Sequence, residues 1–152
     1  MKAITLYQPW ASAIACVLKT HETRSWRTKF RGPLAIHASK AVPKKVRDSS
    51  GYWDLYQQVM DAVEGDEPSL PASSIVTVCL LQDCVPTESI TCPHSCYPWQ
   101  LAEHELDFGD YAPGRFAWRL DEVLDGFVPI PCSGARGLWD VPLDVLKKII
   151  AC

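Results

Sequence analysis

Leu6–Trp26 reads LYQPWASAIACVLKTHETRSW, and residues 19–26, Lys-Thr-His-Glu-Thr-Arg-Ser-Trp, decide how the rest is read. Lys19, Glu22 and Arg24 place three charges within six positions, with apolar sequence before them and another apolar run from Leu34. On a solvated loop such charges need no explanation. On the floor of a concavity they would hold a polar, planar ligand. From Glu22 to Trp26 the pattern suits a strand, and two-residue alternation puts Glu22, Arg24 and Trp26 on one face.

Upstream, Met1–Tyr7 alternates as a short strand. Pro9 suits the first turn of a helix, and Ala11, Ile14, Ala15 and Leu18 then form one apolar stripe that brings Lys19 to the helix end. There the cation would complement the helix C-terminus. Downstream, Arg31-Gly32 is a turn. Residues 33–39 form a strand with Leu34, Ile36 and Ala38 on one side and Ala35, His37 and Ser39 on the other. Pro43 starts a second helix, whose surer part carries Tyr52, Leu55, Tyr56, Val59 and Val63. Residues 64–74 read as a loop and 75–85 as a buried, valine-rich strand. A short helix over 99–105, turn chemistry over 108–114 and a strand over 115–123 follow. After a loop over 129–137 come a short strand over 138–141 and a helix from Pro142, with Leu143, Leu146 and Ile150 inside. Short strands with interspersed helices predict an α+β fold: a curled sheet or small mixed β-barrel flanked by helices.

Bulk properties narrow the function classes. The length of 152 residues fits a single domain over 1–152 and buries roughly 70% of the unfolded surface, enough for one core. A net charge of −3 argues against sequence-blind binding along a phosphate backbone, yet allows a small basic pocket. Twelve prolines point to turns and extended segments and away from a helical bundle. The sequence shows no signal peptide and no apolar run of membrane-spanning length, so a reduced, cytoplasmic protein with free thiols is expected.

The combined motifs resemble the ASCH domain, the homology domain of the activating signal cointegrator. LYQPWASAIACVLKTHETRSW is followed by RGPLAIHAS (31–39), FGDYAPGRFAWRL (108–120) and GARGLW (134–139). That family's Gly-x-Lys-x-x-Glu-x-Arg core is met here by Val17, Lys19, Glu22 and Arg24. The resemblance implies a PUA-like fold with a cleft beside this motif, proposed in the family to bind RNA or a nucleobase. It also associates two activities with relatives: hydrolysis of the amide of acetylated cytidine, and ribonuclease action. Two positions depart from the pattern. Val17 replaces the glycine, and Glu22 stands where the deacetylating subfamily has a threonine, although Thr20 and Thr23 lie nearby.

The side chains themselves support two chemistries. As a binding site, Lys19 and Arg24 donate to carbonyl or phosphate oxygens and Glu22 accepts from an exocyclic amine, a set that fits a cytosine or guanine edge. Trp26 would stack on the base. Thr23, His37, Arg115 and Arg136 complete the expected contacts to RNA or a modified nucleoside. As a hydrolase, a desolvated Lys19 would activate water or a threonine hydroxyl, with Glu22 or Glu105 moving protons. In a ribonuclease, Lys19 and Arg24 would stabilise the phosphorane charge. A third reading is a protein-interaction module using the loop over 92–99. A salt-bridge cluster would explain Lys19, Glu22 and Arg24 with no ligand at all. Cys79, Cys84, Cys92 and Cys96 with His94 invite a zinc reading, but their spacing matches no paired C-x-x-C ribbon, so neither metal nor cofactor is expected.

Overall fold

A computed structural model describes residues 1–63, 69–91, 101 and 103–151. Its strands are β1 (Lys2–Leu6), β2 (His21–Arg24), β3 (Gly32–Ala38), β4 (Ser74–Pro86), β5 (Phe116–Asp121), β6 (Ile130–Pro131) and β7 (Leu138–Asp140). Its helices are α1 (Trp10–Ala15), α2 (Lys44–Arg47), α3 (Tyr52–Ala62), α4 (Glu88–Thr91), α5 (Glu103–Asp107) and α6 (Leu143–Ile150). The strands run in the order β2-β5-β4-β3-β1-β7, with β6 attached to β4. Among the described strands only the β1–β3 pair is parallel. The sheet curls into a half-barrel flanked by helices, the small mixed β-barrel expected from the sequence. Two breaks in register along β4, one opposite Ile36/His37 and one between Leu81 and Asp83, help it bend.

Both faces of the central strands are buried. Ile4, Leu6, Leu34, Ile36 and Ala38 join Trp118 and Leu120 in the core that α1 covers with Ala11 and Ile14. Ala3, Ala35 and Ile75 face the other way, against Val145 and Ile149 of α6. Each large apolar side chain so buried contributes roughly 1.5–3 kcal/mol. A third cluster joins Ala13 of α1 to Leu55 and Val59 of α3. Among the described residues no helix is long and apolar enough to cross a membrane.

Three local expectations are corrected. The first helix stops at Ala15, short of Leu18, because Val17 turns left-handed at φ 58°. The N–H groups of Leu18 and Lys19 then both fold back to the Ala13 carbonyl, at 2.8 and 3.1 Å, a left-handed helix ending. β2 starts at His21 and ends at Arg24, so Trp26 lies beyond it, in a bend. In α6 the inward stripe is Val145 and Ile149, while Leu143 and Ile150 face solvent.

Candidate functional site

A cleft of about 790 Å³ opens where the sheet fails to close, between β2 on one side and the ends of β1, β3 and the approach to β7 on the other. That volume lies within the roughly 300–1,000 Å³ typical of small-ligand sites. Glu22, Thr23 and Arg24 form one wall, Tyr7 and Trp10 another, and Asp110, Arg115 and Arg136 reach in from loops.

The β2 wall follows from strand geometry. Glu22 and Arg24 are two apart and share a face. Arg24 Nη1 lies 3.5 Å from Glu22 Oε1, a loose contact that leaves both groups capacity for a ligand. Thr23 instead accepts the Asp110 N–H at 3.1 Å through Oγ1. Arg115 donates through Nε to the Asp110 carbonyl at 3.0 Å, and its Nη2 reaches the Thr23 carbonyl at 3.5 Å. The turn at Asp110 is thereby strapped to β2. Burial pushes the Glu22 carboxyl above its ordinary pKa, and the charges of Lys19, Arg24 and Arg115 pull it back.

Lys19 and Glu105 belong to the interior. Lys19 is only 1% exposed, and its ammonium makes no hydrogen bond with a described residue. Burial lowers its pKa, against the attraction of Glu22 and Glu105. Neither Lys19 nor Glu105 lines the cleft. Glu105 is likewise only 1% exposed. It accepts the Thr20 N–H and hydroxyl and the His21 N–H, the last two at 2.9 and 3.1 Å, and takes His21 Nδ1 at 2.8 Å. Burial pushes its pKa up, but the His21 bond, the Lys19 charge and the Thr20 N–H outweigh that and hold it at about 2.

Of the residues singled out in the sequence, Glu22, Thr23, Arg24, Arg115 and Arg136 meet in the cleft; Lys19, Glu105, Trp26 and His37 are not among its lining. Trp26 packs edge-on against Trp118, with ring centroids 4.7 Å apart. His37 is buried, its Nε2 3.1 Å from the Cys132 carbonyl. The aromatic groups that do line the cleft are Tyr7, Trp10 and Phe108. Trp10 is anchored by its Nε1–H donating to the Phe108 carbonyl at 2.8 Å. Tyr7, 43% exposed, was missed as a site residue. Its signal was an aromatic with a polar tip at a strand end, directly before the Gln8-Pro9 turn.

Cys79 and Cys84 lie buried in β4, and burial pushes the Cys79 thiol up to about 12. Cys92, His94 and Cys96, together with the expected interaction loop over 92–99, lie outside the described residues. Among the described residues no three His, Cys, Asp or Glu are grouped to hold a metal ion.

The family model of the ASCH domain matches residues 4–117. No curated protein matches the chain.

Proposed function

The chain belongs to the ASCH domain family, and on that premise we propose that its cleft binds a nucleobase of RNA or of a modified nucleoside. One observation carries the reading: Glu22 and Arg24 stand side by side, loosely paired, on the wall of a cleft of ligand size. A carboxylate beside a guanidinium offers acceptors and donors together, the complement of a base edge that carries both. Partial burial strengthens such contacts and penalises a ligand that leaves either group unpaired. Stacking falls to Tyr7, with Trp10 as a fixed wall, in place of Trp26.

The reading is tested by titrating the protein with cytidine, acetylated cytidine, guanosine and a short single-stranded RNA, by calorimetry. At least one binds, and Glu22→Gln or Arg24→Ala weakens it at least tenfold. If none binds, the proposal fails.

The hydrolase alternative draws on the buried, low-pKa amine of Lys19, which chemistry at a carbonyl could use. It has weaker support, since Lys19 does not line the cleft and Glu105 is occupied by Thr20 and His21. Release of acetate from acetylated cytidine, or cleavage of RNA, abolished by Lys19→Ala, would favour it. A cytoplasmic location suits the same reading; Cys16, Cys79, Cys84 and Cys132 are free thiols.

A further inference from the structure

Among the described residues, base recognition leaves the one unpaired cation of the cleft lining, Arg136, without a role. Arg136 lines the cleft, is exposed, and makes no hydrogen bond or ion pair with a described residue. Its loop is nevertheless braced. The Cys132 carbonyl lies 3.1 Å from His37 Nε2. Gly134 sits so close to β1 and β3 that a methyl group there would stand 2.5 Å from His37 Nδ1 and 2.7 Å from Thr5 Oγ1. Trp139 Nε1 donates to that same Thr5 hydroxyl at 3.1 Å. A braced loop fixes the backbone that carries this arginine, so that part of the ordering cost is met before any ligand arrives.

Sheet order then places more positive charge nearby. β3, β1 and β7 are neighbours in that order. Ser39 and α2 follow β3, Tyr7 follows β1, and Arg136 precedes β7, so all three crowd one end of the sheet. Residues 40–47 carry Lys40, Lys44, Lys45 and Arg47 and no acid, and these four are exposed. Val46 of this segment lines the cleft, as do Ser49 and Ser50 beyond Asp48. A chain of net charge −3 thus presents five cations on either side of one exposed tyrosine. A neutral nucleoside has nothing to offer them.

We propose that this rim is a phosphate-binding subsite, and that the ligand is a nucleotide within a single-stranded oligonucleotide. This rests on the base-recognition reading of the cleft. The base lies on Tyr7 against Glu22 and Arg24, the adjoining phosphate meets Arg136, and the flanking phosphates pass over the α2 lysines. A single strand is required because only an unstacked base reaches into a concave wall. The acidity of the remaining surface disfavours a long duplex.

The test compares cytidine and guanosine with their 5′- and 3′-monophosphates and with a mixed-sequence RNA hexamer, by calorimetry or fluorescence anisotropy. At least one monophosphate binds about tenfold more tightly than its nucleoside, as a charge-assisted contact would give. In Arg136→Ala that nucleotide-to-nucleoside ratio falls towards one. The ratio is internal to each variant, so a loss of folded protein does not mimic the result. The hexamer binds more tightly still, weakens as salt rises, and loses several-fold in the double variant Lys44→Ala/Lys45→Ala. Equal binding of nucleoside and nucleotide, or a phosphate gain that survives Arg136→Ala, overturns the subsite and leaves base recognition standing. Absence of binding by every ligand overturns both.

Discussion

The Glu105 carboxylate holds the His21 ring, Oε2 to Nδ1 at 2.8 Å, across 84 positions of sequence. With its contacts to Thr20, this stitches α5 to the start of β2, one residue before Glu22. The cleft wall is thus positioned by a carboxylate that does not line the cleft.

Acid titration should expose that stitch. Glu105 titrates at about 2 in the folded protein, against an ordinary 4.5. A depressed carboxylate contributes stability that is present above its unfolded value and lost as pH falls through the folded one. The loss between pH 4.5 and 2 is on the order of 3 kcal/mol. Glu22, whose pKa burial raises, titrates in the opposite sense, so the comparison must be made against a variant. Denaturant unfolding of wild type and Glu105→Gln should show a stability gap that narrows as pH drops across this window. A constant gap contradicts the assignment.

Val17 occupies the left-handed region at φ 58° while 59% exposed. For a residue other than glycine that conformation costs roughly 1–2 kcal/mol. Val17→Gly removes the strain and loses little packing, offset in part by the extra freedom of glycine in the unfolded chain. A net gain of up to about 1 kcal/mol is expected, raising Tm by about 2–4 °C. A lower Tm on thermal melting would count against it.

Tyr7 and Trp26 should separate cleanly. Tyr7→Ala leaves Tm nearly unchanged and weakens ligand binding by about 1–3 kcal/mol, the worth of one stacked base. Trp26→Ala breaks the edge-on contact with Trp118 and costs about 1–3 kcal/mol of stability, with the smaller effect on affinity. The reverse pattern would return the stacking role to Trp26.

Gly134→Ala tests the brace under Arg136. With ring and hydroxyl atoms 2.5 and 2.7 Å from the added methyl, either His37 or the loop must move. A loss of about 1–3 kcal/mol in unfolding free energy is expected, together with weaker nucleotide binding. Wild-type stability and affinity together would mean the loop is looser than its packing implies.

How far the residues alone reveal this molecule depends on the range of each interaction. Alternation along 33–39 sorted Leu34, Ile36 and Ala38 from Ala35 correctly, because strand periodicity is local and both faces are apolar. The end of α1 was misplaced because a left-handed terminator is normally announced by glycine, and valine gave no warning. In α6 two apolar stripes at helical spacing compete, Leu143 with Ile150 and Val145 with Ile149, and only the docking surface on Ala3 and Ile75 chooses between them. At the cleft, Glu22, Thr23, Arg24, Arg115 and Arg136 were all picked out from short motifs. The position of Glu105 was not readable, since its partners lie 84 and 85 residues away.

One pairing bears on how the protein comes into being. Among the described strands β2 pairs with β5 alone, with Glu22 opposite Trp118 and Arg24 opposite Phe116. At roughly 5–20 residues per second on the ribosome, the recognition strand waits on the order of 5–20 s after its own synthesis for the strand that will hold it. A nascent chain therefore carries the carboxylate and the guanidinium early but displays them late, and a transcript cut short before Phe116 would yield a product with the groups and no wall to mount them on.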